Sequence, residues 1–295
     1  MHVKIKMIVV MIVFGTLGLF VKNIPLSSGE IALFRGVIAT LSIGIYFLIT
    51  GKKMTLPRKR KDIILLLLSG VAMGLNWIFL FEAYRYTTVS IATLSYYFAP
   101  VFVMIVCPIL FKEKLTVKQI LCFIMSTIGL VLVIGIGGLD GGDTHLIGIG
   151  FGLGAAVFYA SVILLNKFIK EVDGVDRTLM QFCSAILILI PYLCMTTGIH
   201  IGEIGGVGLI NLLIVGTIHT GLMYCMYFSA LKQLKGQEAA ILGYIDPLVA
   251  IIVSVGILGE HIQFSQIIGG MLILGFTLIN EIDLKNFKKE APQEM

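Results

Sequence analysis

Charge is scarce in this chain: Asp, Glu, Lys and Arg make up 13% of its 295 residues, where a water-soluble domain carries roughly a quarter. A body so poor in charge cannot keep itself in water, which excludes a soluble enzyme or a soluble nucleic-acid binder. Cysteine is sparse as well. The five, Cys107, Cys122, Cys183, Cys194 and Cys225, fall in apolar runs without metal-ligand spacing, so core packing is expected of them and neither disulfides nor a metal site is. No Walker loop, His-Glu-x-x-His, Gly-x-Ser-x-Gly or proteolytic aspartate pair occurs. No cofactor is implied, and any pumping must draw on a gradient. The longest soluble stretches, the basic segment 50–62 and the polar tail 282–295, are too short to form a catalytic or sensing domain.

What is present is apolar sequence: 58% of the residues are hydrophobic. A bilayer core takes about 20 apolar residues per helix, and the chain divides into ten such runs. They are Ile5–Val21, Ile31–Ile49, Ile63–Tyr84, Val89–Phe111, Val117–Ile136, Leu146–Ile169, Thr178–Gly198, Val207–Leu231, Gln237–Gly259 and Phe264–Glu281. Continuous rather than alternating apolarity predicts helices, not a barrel. The first run, flanked by Lys4 and Lys6, could be read as a signal peptide. No small-x-small cleavage site precedes Lys22-Asn23-Ile24-Pro25, so it is kept as a span.

The basic residues decide the orientation. With the N-terminus inside, the inner segments collect nineteen of the 22 Lys and Arg, and only Lys22 and Arg85 fall outside, with Arg35 within the second span. This predicts a multi-pass protein of the plasma membrane with both termini cytoplasmic. The net charge of +5 then meets anionic lipid on the inner face and needs no nucleic acid to explain it.

Segment 81–132 repeats without a gap 147 residues later, as 228–279. The shift pairs Phe81 with Phe228, Tyr97 with Tyr244, Pro100 with Pro247, Glu113 with Glu260, and Gln119-Ile120 with Gln266-Ile267. Chance matches between apolar segments favour Leu, Ile and Val, so aligned Pro, Glu, Gln and Tyr argue for duplication. Two halves, 1–137 and 146–281, of five spans each must insert in opposite senses, with 282–295 as a cytoplasmic tail. The expected fold is therefore an all-α integral membrane protein of ten transmembrane helices in two inverted five-helix repeats. Such an arrangement lets one protein reach two mirror-related states, the basis of alternating access.

Candidate site residues follow from what a bilayer penalises. Pro100 and Pro247 each remove a donor in the middle of a span and clash one turn back, so helix kinks are expected that face a cavity; a kink serving packing alone is the alternative. Tyr97 and Tyr244, three residues earlier, share that face. Asp246 and His219 lie near mid-membrane where the other half has Ala99 and Ala72. A carboxylate there costs on the order of 3 kcal/mol, so both are expected to face inward and to carry a proton or hold a cationic group; a static pair fixing helix packing is the alternative. Arg35 and Glu82 sit at one level near the outer surface, as a gate or, as favoured, a structural clasp. Asn76 and Trp77, with Tyr224 opposite Trp77 in the repeat, lie mid-span as wall or core. The Gly70-x-x-x-Gly74, Gly148-x-x-x-Gly152 and Gly150-x-x-x-Gly154 spacings predict close helix contacts. Asn166 and Lys167, near an inner end, are expected to snorkel.

Ten spans in two halves, a mid-span Pro, the endings Leu110-Phe111-Lys112-Glu113 and Leu258-Gly259-Glu260, a following Gln and a Gly-rich last span resemble the EamA-type branch of the drug/metabolite transporter superfamily. Phe34-Arg35 is similar to that family's aromatic-Arg signature; Met180-Gln181 at the corresponding place departs from it. The resemblance implies a helical bundle around a central cavity that moves small metabolites. The expectation is a secondary transporter, an exporter of a small metabolite, amino acid, amine or drug. Asp246 and the aromatic residues suit a cationic group, and proton coupling is open. A membrane scaffold or receptor, or an intramembrane enzyme, are the other classes weighed, and a homodimer is compatible with the sequence.

Overall fold

The computed structural model describes residues 3–55, 57, 59–87, 92, 95–112, 114–134, 142–169, 171–200, 204–258 and 264–281. The Glu113 and Glu260 family endings, the outer turn 259–261 and the tail 282–295 lie outside the described residues. All regular structure among them is helical. In chain order the elements are α1 (Val3–Gly15), α2 (Leu17–Val21), α3 (Ser28–Thr50), α4 (Arg60–Tyr86), α5 (Ala99–Phe111), α6 (Val117–Ile134), α7 (Gly142–Phe168), α8 (Gly174–Met195) and α9 (Gly206–Ile214). A π-helical turn (Val215–Leu222) then leads into α10 (Met223–Leu231), α11 (Gly236–Leu242), α12 (Ile245–Leu258) and α13 (Phe264–Glu281).

Six segments among the described residues are long and apolar enough to cross a bilayer, and Ala99–Phe111, Val117–Leu132 and Ile267–Thr277 are shorter apolar helices. Large side chains such as Leu48, Ile49, Leu187, Met195, Val207 and Ile210 point out of the bundle. In water such an apolar surface would aggregate; in lipid it is the solvated face. Cys183 and Cys194 share it, so two of the cysteines expected in the core face outward.

Local chemistry sets the helix ends. Ser27 and Glu30 form a reciprocal capping box at the start of α3, satisfying two of the orphan N–H groups there. Gly51, at φ +64°, closes the same helix, a backbone that only glycine adopts without strain. The Asp173 side chain accepts from the Gly174 N–H at the head of α8. That helix begins four residues before the expected Thr178, because Arg177 is wholly buried. Its guanidinium donates to the carbonyls of Asn166, Ile169 and Val172, the last two lying just beyond α7. A cation at a helix C-terminus meets otherwise unpaired carbonyls. Asn166 does not snorkel: it is fully buried and bonds Ser69 and Gln181. Lys167 reaches instead to the Leu234 carbonyl at 2.7 Å.

α4 lies between α7 and α8, α6 pairs with α13, and α1 packs along α10 and α12. Small residues permit these approaches. A Cβ on Gly70 would strike Gln181 and Ser184 of α8, and one on Gly15 would meet the Asp246 carbonyl of α12 at 2.7 Å. The first apolar run is thus part of the bundle, divided at Thr16 rather than continuous.

The two spans expected to be kinked are treated more drastically. The ninth is broken into α11 and α12 by a turn at Gly243-Tyr244, with Pro247 in the first turn of α12. In the fourth, α5 starts at Ala99 after a turn at Tyr97-Phe98, with Pro100 at its second position. A proline in a first turn sacrifices no intrahelical hydrogen bond. It therefore starts a second half-helix instead of bending one helix. α11 packs against α5, where Gly236 abuts Cys107, and Tyr97 at one break meets Asp246 just beyond the other.

Candidate functional site

The half-helix breaks open onto a cavity of about 370 Å³ enclosed by α1, α2, α3, α4, α7, the π-turn, α10 and α12. It reaches the end of the bundle where Val21, Ser28 and Ile31 lie. At the opposite end, Lys52 pairs with Asp173 and Lys59 with Glu171, each at 2.8 Å. These two contacts strap the loop before α4 to the α7–α8 connection.

Asp246 stands in the first turn of α12 and lines the cavity. The Tyr97 hydroxyl, from the break before α5, donates to its carboxylate. His219 also lines the cavity but does not meet Asp246. Its Nε2 is 3.0 Å from the Thr16 hydroxyl and its ring lies 4.9 Å from that of Phe20. The π-turn delivers it: one extra residue in the turn rotates the helix face, and Thr220 bonds back to the Val215 carbonyl five residues earlier. Such insertions recur at functional sites.

Asn76 and Trp77 are wall and core at once: both border the cavity and both are buried, Trp77 within the main hydrophobic cluster. Asn76 donates to the Ala155 carbonyl at 2.7 Å, leaving its own carbonyl oxygen for another partner. Trp77 and Tyr224, matched by the repeat, meet: the indole and the phenol are hydrogen-bonded. Arg35 also comes here. Its guanidinium carbon is 4.2 Å from the centroid of the Trp77 ring, a cation–π contact.

That position corrects the expected Arg35–Glu82 clasp. Glu82 is held by Arg85, one helical turn on at 3.1 Å, and accepts a hydrogen bond from Tyr192. Arg35 turns the other way, into the bundle, because the Trp77 face lies inside. Tyr244 is a second correction. It is fully buried among Leu130, Leu248 and Ile273, with its hydroxyl 2.8 Å from that of Thr127, away from the cavity. Pro100 and Pro247 are buried at the heads of their half-helices and do not line the cavity themselves.

Most of the aromatic lining was not anticipated. Phe14, Tyr96, Tyr159 and Tyr227 join Tyr97, Tyr224 and Trp77 in the wall, with the Tyr159 and Tyr227 hydroxyls 3.3 Å apart. One signal was available: a phenol in mid-membrane needs a partner for its hydroxyl, and these tyrosines fall well inside apolar runs. The result is an aromatic chamber holding one cation, one carboxylate and one imidazole, a combination suited to binding a small polar molecule rather than to bond cleavage.

Known proteins share this design. A crystal structure superposes with a TM-score of 0.82 over 95% of this chain and 98% of its own, at 16% identity, which shows a common fold. The Bacillus subtilis (strain 168) protein called uncharacterized transporter YxxF is 32% identical over 295 residues, 97% of this chain and 93% of the relative. An uncharacterized transporter of Archaeoglobus fulgidus is 29% identical across 91% of this chain and 92% of its own. Human solute carrier family 35 member G1 is 32% identical over 171 residues, 54% of this chain and 46% of its own. The EamA-like transporter family matches residues 4–135 and again 146–280. With both stretches matched and a helical bundle built around a polar chamber, the chain belongs to the EamA-like transporter family and is a multi-pass membrane transport protein.

Proposed function

We propose that this protein is a gradient-driven exporter of a small metabolite, amino acid, amine or drug, working by alternating access. Ten spans in two inverted halves lie in the plasma membrane with both termini cytoplasmic, as the distribution of basic residues indicates. The cavity reaches only the end at Ser28 while ion pairs tie the end at Lys52, so this conformation is the outward-facing state. Breaking the straps and closing the Ser28 end gives its counterpart.

The observation that carries this reading is Asp246 at the head of a broken helix, facing the cavity. A carboxylate is costly in a bilayer unless it serves a pathway, and a discontinuous helix is where transporters seat their ligands. Asp246 is the group that takes a proton or the cationic end of the substrate. The test is flux into liposomes with Asp246→Asn, which keeps shape and hydrogen bonding but removes the charge. Loss of pH-driven accumulation, or of affinity for cationic substrates, in a folded variant is expected. Parental rate, affinity and pH dependence would make the carboxylate structural. Reporter fusions after Asp140 and at the C-terminus test the topology; they should score outside and inside respectively.

A further inference from the structure

Among the described residues no carboxylate pairs with Arg35, its Nε is buried without an acceptor, and its guanidinium lies on the face of Trp77. A buried guanidinium left with unpaired donors is expensive, and this one borders the cavity, where an acceptor could reach its fork. We infer that Arg35 is the anchor for a carboxylate of the transported molecule, so that the substrate is a small zwitterion held between Arg35 and Asp246.

The inference rests on the transport reading and narrows it to a substrate class. The charge balance of the wall sets that class. Arg35 and Asp246 are the charged lining residues apart from the imidazole of His219, so the chamber is neutral overall. A phosphate, near two negative charges, would be left under-compensated; a carboxylate accepts a planar fork in bidentate fashion and uses one positive charge. The ammonium of the same molecule then has Asp246 and the tyrosine faces of Tyr96, Tyr97 and Tyr159 for company. A volume of about 370 Å³ fits a small metabolite.

Trp77 is the one tryptophan in the chain, and Arg35 sits on its face, so intrinsic fluorescence reads the site directly. The full-length protein in neutral-lipid nanodiscs is titrated with phenylalanine, with 3-phenylpropionate, which lacks the ammonium, with 2-phenylethylamine, which lacks the carboxylate, and with sodium phosphate. Saturable changes in emission are expected for phenylalanine and 3-phenylpropionate. Arg35→Gln should weaken both by on the order of tenfold or more and leave the response to 2-phenylethylamine unchanged, whereas Asp246→Asn should weaken 2-phenylethylamine and leave 3-phenylpropionate unchanged. Arg35→Lys keeps the charge without the fork and should fall between, which covers the case in which Arg35→Gln does not fold.

Carboxylate probes that bind Arg35→Gln or Arg35→Lys with the parental constant, or that leave the parent's emission unmoved, overturn the assignment. So does phosphate that competes with phenylalanine as well as 3-phenylpropionate does. Liposome flux separates the two readings. Arg35-dependent binding without any flux of phenylalanine removes transport and keeps the anchor; flux of 2-phenylethylamine with Arg35-independent carboxylate binding removes the anchor and keeps transport.

Discussion

Tyr97 donates to the Asp246 carboxylate inside the cavity, whereas Tyr244, its match in the repeat, bonds the Thr127 hydroxyl at 2.8 Å outside it. Equivalent residues of the two halves thus do different work, and their loss should read out differently. Tyr244→Phe removes one buried hydrogen bond and should cost about 1 kcal/mol of stability with flux and KM unchanged. Tyr97→Phe should leave the melting temperature closer to the parent's and alter the pH profile or KM of transport, because it frees the one carboxylate in the chamber. Melting curves in detergent and liposome flux on the same two preparations decide it.

The helix break before Pro247 is a second point of leverage. Proline there lacks a donor that the first turn of α12 does not use. Alanine restores an N–H and lets α11 propagate through Gly243-Tyr244 into α12, straightening the span and withdrawing Asp246 from the chamber. Pro247→Ala should therefore reach the membrane at near-parental abundance yet lose transport by about tenfold or more. Transport falling only in proportion to abundance would reduce the proline to packing.

Sequence made the apolar spans legible because a bilayer demands about 20 apolar residues per helix, and it made Asp246, His219 and Trp77 legible because polar groups in such runs are costly. The direction in which a side chain leaves its helix was harder to read. Arg35 and Glu82 share a level, but pairing depends on rotation about the helix axis, and the Trp77 face on one side and Arg85 and Tyr192 on the other pull them apart. The π-turn that aims His219 adds one residue to a helical turn, which no apolar periodicity announces. Asn166, judged by its distance from an end, is in fact tied into a buried network by Ser69 of α4 and by Gln181 and Arg177 of α8.

Small-x-x-x-small spacing is equally blind to direction, and two glycines show it. A Cβ on Gly70 would collide with Gln181 and Ser184, while one on Gly150 meets nothing within 4 Å. Gly70→Ala should push α4 from α8 and cost about 1–3 kcal/mol. Gly150→Ala should be neutral or stabilise by roughly 0.5–1 kcal/mol, since alanine loses less backbone entropy in a helix. Detergent melting curves of both variants check the pair, and equal effects would mean that α4 and α8 are not in contact here.

The strap at the Lys52 end yields a prediction with a defined pH window. Hydrogen bonding to Lys52 holds the Asp173 carboxyl below its ordinary 3.8, and the same bond holds Lys52 above its ordinary 10.5. A depressed carboxylate contributes above its ordinary value and is lost as pH falls through the lowered one; a raised amine contributes below its ordinary value and is lost as pH rises through the raised one. Between those limits the strap is constant. Cys225 lines a second cavity beside Asp173, so its labelling by a maleimide, with the other cysteines replaced by serine, reports opening at this end. Asp173→Asn should increase that labelling severalfold relative to its parent, by an equal ratio at about pH 6 and pH 8. Any change in transport across that interval then belongs to a group in the chamber, Asp246 or His219, and a labelling ratio that itself varied across it would assign the pH dependence to the strap.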